Sequence, residues 1–360
     1  MRKYRNRILS GFALAIVIYV GLLLFIDSEG KLTADVLSSL RQFPAVLVLP
    51  LILVQVAAGL FRFWEWNYFM GVIGARDKMS LLDSAVIFVT GFVMVVSPGK
   101  AAELLKSIMV KSKTGIPAAK VAPVVIAERV IDGLAVIAIM VFGILLVGDQ
   151  IDIGPYRALI FTSAAILAFA LITVQIAPLA YFFLNLAAKL PLIKRAHGPL
   201  VEFYESSREV FHLRHILATS GMGVGVYLSS AIGFMLILIG FGLTPTWTLF
   251  LQAMFISGVA AAVGALSFVP NGAGVTEFTD ATMLMAIVAP ANPEMTPAIA
   301  ATSAIMQGFF HKWFRVLVGL SVAFIFRNRI FSAALEADIA EVEAARHAKR
   351  ITSTSEMSAV

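Results

Sequence analysis

Cysteine is absent from the chain, which excludes disulfides, thiol catalysis and cysteine-ligated metal sites. Charge is scarce: 14% of the 360 residues are Asp, Glu, Lys or Arg, against 59% hydrophobic residues. Soluble domains carry about 25% charged residues, so this composition belongs to the membrane class. The mean hydropathy of +0.90 agrees. A Walker loop, a metal-spaced histidine cluster and a Ser/His/Asp arrangement are all missing from the sequence. No catalytic residue, metal or cofactor is therefore expected, and the chain is not read as an enzyme. The net charge of +6 would suit nucleic acid, but the basic residues sit between apolar runs, as the positive-inside rule requires. No nucleic-acid partner is expected.

Long apolar runs are what the chain does have. Six are long enough to cross a bilayer: 8–26, 44–63, 120–147, 158–183, 216–241 and 298–326. The first follows "MRKYRNR" and lacks a cleavage pattern, so it reads as an uncleaved span rather than a signal peptide. Two other regions are odd. Residues 81–97 end in "SPGK", and residues 247–290 carry "VPNGAGVTE" between two apolar pieces.

Loop charge sets the orientation. Arg2, Lys3, Arg5 and Arg7 place the N-terminus in the cytoplasm, and Arg327 and Arg329 place the C-terminus there too. Segment 98–120 holds Lys100, Lys106, Lys111, Lys113 and Lys120 and is also assigned to the cytoplasm. Both ends of 81–97 then lie on one side, so that segment dips in and returns. Region 247–290 does the same from the opposite side. The expected fold is all-α integral membrane: six spanning helices plus two oppositely oriented re-entrant helical hairpins, a pattern that suggests an inverted repeat. Eight full crossings with two short tilted spans are the alternative. Residues 1–326 form the transmembrane domain in this reading, and 327–360 form a short charged cytoplasmic tail.

Each hairpin would turn at a Pro/Gly motif followed by an acid. Non-helical backbone at membrane depth is tolerated where it lines a cavity. Ser97 and Pro98 read as a helix start, Gly99 permits close backbone approach and Lys100 adds charge, a combination suited to an anionic headgroup. An ordinary cap at the water boundary fits the same residues. In the helix that follows, Lys106, Lys111 and Lys113 are available to headgroups. Asn271, Gly272 and Gly274 suit a tight turn with positive φ. Glu277 opens the return helix, where simple capping would also explain it.

Two spans carry charge inside them, and intramembrane ionisable groups are functional suspects. "AERVIDG" holds Glu128, Arg129 and Asp132; "QGFFHKWFR" holds Gln307, His311, Lys312 and Arg315. An ion-pair network between these two spans would neutralise both sets, either to serve a site or to fasten the helices. Arg62 and Glu65 read as a boundary ion pair. Trp64, Trp66 and Trp247 read as interfacial anchors, and Gly221 with Gly225 as a close-packing face. His197, His212 and His215 read as surface residues of a basic loop.

"SPGKAAELLK", then "ERVIDG", then "VPNGAGVTEF", in that order, resemble the lysylphosphatidylglycerol synthase transmembrane region, or flippase-like, family. The likeness covers most of residues 8–326. Lys100 stands where the family usually has Arg, Ala102 where it has Gly, and Asn271 replaces a Gly. Lys100 keeps the charge but lacks the planar fork that grips phosphate. The soluble aminoacyl-transferase domain of the full synthases is not expected here. The resemblance implies translocation of a phospholipid or lipid-linked headgroup across the plasma (inner) membrane. On that reading Ser97, Pro98, Gly99, Lys100, Arg129, Asn271, Gly272, Gly274, Lys312 and Arg315 would meet an anionic lipid. Glu103, Glu128, Asp132, Glu277 and His311 would balance charge or carry a coupling proton. A membrane enzyme on a lipid-linked phosphate or sugar, or a non-transporting partner of a lipid-pathway enzyme, are the alternatives.

Overall fold

The structure is a computed structural model that describes residues 31–94, 105–147, scattered positions between 161 and 181, 197–267 and 269–330. Among the described residues the regular structure is helical, with no strand. The run at 8–26, most of 158–183 and the tail beyond 330 lie outside these residues.

In chain order the helices are α1 (Lys31–Gln42), α2 (Val48–Val72), α3 (Leu81–Met94), α4 (Leu105–Thr114) and α5 (Ala118–Val147). Next come α6 (His197–Val210), α7 (Leu213–Gly240), α8 (Trp247–Leu266) and α9 (Val275–Met283). The last are α10 (Pro297–Gly308), α11 (Phe314–Ile325) and α12 (Arg327–Ile330). Four stretches are long and apolar enough to cross a membrane: Ala45–Val72, Leu213–Gly240, Trp247–Leu266 and Pro297–Ile325. Three of them match the expected spans at 44–63, 216–241 and 298–326. The first runs nine residues further than the apolar run, because "RFWEWNYFM" continues the helix with Arg62 and Glu65 inside the protein. α5, at 30 residues, is about 45 Å long at 1.5 Å per residue.

α5 is the common wall of two apolar cores. One packs it against α7 and α8, the other against α2, α3 and α4. Small residues permit these approaches. A Cβ on Gly223 would strike Ile131 of α5, and one on Gly225 would press on the Phe61 ring of α2. Gly221 has nothing near it, so the expected Gly221–Gly225 face does not form; Gly223 and Gly225 instead open different sides of α7, one to α5 and one to α2.

The second predicted turn forms as its residues demand. Asn271, Gly272 and Gly274 have φ of +56°, +61° and +80°, the left-handed region that glycine and asparagine tolerate. The chain then reverses along α8. Gln252, near the start of α8, donates to the Ile287 carbonyl at 3.2 Å, on the segment that follows α9. Residues 247–291 are thus a helical hairpin whose ends meet. Its first arm, α8, is by itself a candidate span, longer than the expected short dip.

α10 and α11 are joined by a π-helical turn, Phe309–Trp313, and read as one 29-residue rod. Such turns shift the helix register and are frequent at functional sites. This one carries His311 and Lys312.

Three sequence expectations are corrected here. Trp66 is fully buried rather than interfacial, with its indole N–H donating to Ser84 at 3.1 Å; Trp64 and Trp247 are the exposed pair. His215 is buried, with Tyr68 Oη 2.7 Å from its Nδ1 and Arg214 donating to its Nε2. Lys106 does not face headgroups; it is 4% exposed and points into the core. The apolar stem of a lysine reaches far, and here its charged end finds a buried acid.

Candidate functional site

A cavity of about 520 Å³ lies between α2, α5, α7, α8, the hairpin turn and the π-helical turn. Its charged lining is Arg62, Arg129, Asp132, Asp280, Lys312 and Arg315, with His311, Tyr227, Gln307 and Ser230 among the polar groups. Seven residues assigned to the site from the sequence meet there: Arg129, Asp132, Asn271, Gly272, His311, Lys312 and Arg315.

α5 supplies one wall. Asp132 is gripped from two sides, with Arg62 Nη1 at 2.8 Å and Arg129 Nη1 at 2.9 Å. The expected Arg62–Glu65 pair does not form, because Arg62 turns across to α5. Glu128, one turn before Asp132, points away from the cavity to Lys106 of α4 at 2.6 Å. The Lys106 ammonium also sits 4.9 Å from the centre of the Trp66 ring, a cation–π contact. An isolated charge in this interior would cost several kcal/mol, about what loss of a buried partner costs in general.

The hairpin and the last rod supply the opposite wall. Lys312 Nζ lies 2.5 Å from Glu277 Oε1 and also donates to Thr276 Oγ1. The other Glu277 oxygen, Oε2, accepts from the Gly274 N–H at 2.8 Å and from Thr276 Oγ1 at 3.0 Å. Glu277 is therefore both the expected cap and the partner of a lysine from another helix. Gly274 and Glu277 stand behind the lining rather than in it. Gly308 makes room for this pair: a Cβ there would overlap the Glu277 carboxylate. Beside it, Gln307 donates to Ser230 Oγ at 3.0 Å, and Ser230 Oγ is 2.9 Å from His311 Nδ1.

Arg315 differs from the other cations. Its Nε donates to the His311 carbonyl at 2.6 Å, and among the described residues no carboxylate forms an ion pair with it. Its remaining N–H groups are donors at the cavity wall. The expected direct network between α5 and the last rod is thus corrected. Among the described residues the close cations of the α5 acids are Lys106, Arg62 and Arg129, while Lys312 is held by the hairpin. Helix periodicity shows which charges share a face, not which helix stands opposite.

Ser97, Pro98, Gly99, Lys100 and Glu103 lie outside the described residues. Arg62, Tyr227, Ser230 and Asp280 were not singled out as site residues from the sequence. Asp280 had a signal, being an acid inside an apolar helix three residues from Glu277.

The family model described as the lysylphosphatidylglycerol synthase TM region matches residues 12–319. The chain belongs to this family, which makes it a multi-pass membrane protein of a lipid-related family. No curated protein and no solved structure matches it.

Proposed function

We propose that the protein is a lipid translocator that moves an anionic phospholipid or lipid-linked headgroup across the plasma (inner) membrane, without chemistry on it. The observation that carries this reading is Arg315: a guanidinium with no carboxylate partner among the described residues, at the wall of a cavity built between membrane-length helices. Planar guanidinium N–H groups suit phosphate oxygens. Three further cations, Arg62, Arg129 and Lys312, share the cavity with two carboxylates, Asp132 and Asp280.

Six crossings with two re-entrant hairpins remain the topology we favour, with both termini in the cytoplasm. Support comes from the level of the second hairpin. Its tip, through Glu277, meets Lys312 and Gly308, at the middle of the rod Pro297–Ile325. If that rod crosses the bilayer, the tip sits near mid-depth. An inverted repeat has its own support. In each half a Lys–Glu pair joins a short helix to the following long helix: Lys106 to Glu128, and Glu277 to Lys312. Sites between inverted repeats near the midplane are the transporter pattern.

The test is reconstitution of the full chain into phosphatidylcholine vesicles containing tail-labelled phosphatidylglycerol. Wild type should move the label between leaflets faster than empty vesicles do. Arg315→Ala should reduce the protein-dependent rate by roughly 10-fold or more, the scale of a lost charged hydrogen bond. Arg315→Lys should recover part of it. An unchanged rate in Arg315→Ala removes Arg315 from the site, and a new lipid product would favour an enzyme.

A further inference from the structure

Three side-chain oxygens at the cavity wall have nothing to accept. Asp280 of α9 and Gln307 of α10 line the cavity, each only 4% exposed, and Ser257 of α8 lines it too. Asp280 Oδ1, Gln307 Oε1 and Ser257 Oγ are buried atoms without a hydrogen-bond partner among the described residues. Lys312, the cation beside the preceding turn of α9, is held by Glu277 and Thr276 instead. Buried polar atoms are normally satisfied, so acceptors left open toward a cavity point to a ligand.

Each oxygen is open for a local reason. The Gln307 amide nitrogen donates to Ser230 Oγ at 3.0 Å and reaches the Ser230 carbonyl at 3.4 Å. A carbonyl can only accept, so the nitrogen faces Ser230 and the oxygen is the free end. Helical hydroxyls such as Ser220, Ser229 and Thr302 donate back to a carbonyl four residues earlier, but Ser257 does not. The fold also groups the three. Gly264 abuts Gly272 and Thr276, and Gln252 reaches Ile287, so α8 and the returning arm run antiparallel. That register sets Ala260 opposite Asp280, with Ser257 one turn away. Gln307 precedes Gly308, which abuts Glu277, one turn before Asp280. On the rod, Gln307, His311 and Arg315 share the cavity face. Gln307 and Arg315 are about 12 Å apart along the helix axis. Arg315 leans back to the His311 carbonyl, which shortens the gap by about 5 Å. The guanidinium and the open acceptors thus lie within the span of one lipid headgroup.

We propose that Asp280, Gln307 and Ser257 form an acceptor pole that selects the headgroup: it receives a hydrogen-bond donor, a hydroxyl or an ammonium, of the lipid whose phosphate meets Arg315. This rests on the anion reading of the cavity. The charge of Asp280 does not decide it, since a carboxyl offers an acceptor oxygen whether ionised or neutral. A phosphate lipid with no donor leaves the three oxygens unpaired when it excludes water from them, and a site built this way rejects it.

Calorimetric binding of short-chain lipids to the full chain in detergent tests this. Dihexanoyl phosphatidylglycerol offers hydroxyls, dihexanoyl phosphatidylethanolamine an ammonium, and dihexanoyl phosphatidylmethanol a phosphate diester with no donor. At least one of the first two should bind wild type about 10-fold more tightly than the third, the scale of one hydrogen bond to a buried acceptor. Preference for phosphatidylglycerol assigns the pole to hydroxyls, and preference for phosphatidylethanolamine to ammonium. Asp280→Leu should bring the lipids within about twofold of one another, and should melt no lower than wild type, since an acceptor without a partner adds nothing to the fold. Asp280→Asn keeps an acceptor oxygen and should keep part of the preference. Ser257→Ala should narrow it by about threefold, and is the variant that decides if Asp280→Leu does not fold. Equal binding of all three lipids by wild type overturns the pole, as does a preference that survives both Asp280→Leu and Ser257→Ala. Arg315→Ala separates this from the anion reading, because it should weaken all three lipids together. If it weakens none while the preference persists, the anion reading falls and the pole stands. If no lipid binds wild type, both fall.

Discussion

Lys312 stands 2.5 Å from Glu277 and so ties the tip of one hairpin to the middle of the longest rod in the second half. Both side chains are largely buried, so neither charge can fall back on water. Lys312→Met should therefore cost about 3–5 kcal/mol, the usual result of orphaning a buried charge. The double variant Lys312→Met with Glu277→Gln should regain most of it, since the pair as a whole adds little net stability. Chemical or thermal unfolding of the four proteins in one detergent, treated as a double-mutant cycle, measures this. Additive losses would show that the pair is a contact without coupling.

Gly308→Ala offers a steric counterpart. The added methyl overlaps a Glu277 carboxylate that is held by Gly274, Thr276 and Lys312, so it cannot swing aside cheaply. A loss of about 1–3 kcal/mol is expected, the range for overpacked cores. Gly59→Ala, on α2 with open space around the glycine, should be neutral or slightly stabilising in the same melt.

Lys106→Met should cost as much as Lys312→Met, because Glu128 is then left buried without its closest cation. Trp66→Leu should make the wild-type lysine less secure as well, losing the ring face and the bond to Ser84. We expect about 2–4 kcal/mol for that change, read by the same unfolding curves.

Asp83 provides the contrast. It pairs with Lys113 at 3.5 Å and Arg329 at 3.4 Å, where α3, α4 and α12 come together, and these side chains are partly exposed. Asp83→Asn should cost less than about 1 kcal/mol, and the difference should shrink in high salt. A large, salt-insensitive loss would place this corner in a drier setting than its exposure indicates.

Much of the fold could be read from hydropathy, since a helix must be long and apolar to cross a bilayer, and residues 44–63, 216–241 and 298–326 met that demand. The turn at Asn271–Gly274 was readable for a different reason: few residues accept positive φ, so their clustering in an apolar region has one cheap explanation. The pairing of charges was harder. Arg62 and Glu65 share a face at i, i+3 spacing, yet Asp132 on α5 competes for the guanidinium and wins. Lys106 looked like a surface lysine because its neighbours in sequence are basic; only the packing of α3, α4 and α5 shows that Glu128 waits beneath it. His215 was hidden in the same way by Arg208, Arg214 and His212 around it.

The two buried Lys–Glu pairs have opposite polarity along the chain. In the first half the short helix brings the lysine and the long helix the acid; in the second half the roles are exchanged. Suppose, during assembly, the short helix of one half docked on the long helix of the other. Lys106 would then face Lys312, and Glu277 would face Glu128. Each mistaken docking would bury like charges together, a penalty that correct docking never meets. The exchange of polarity acts as a proofreading code: two similar pairs of short and long helices can share one membrane, in one chain or in neighbouring copies, without answering to each other's address.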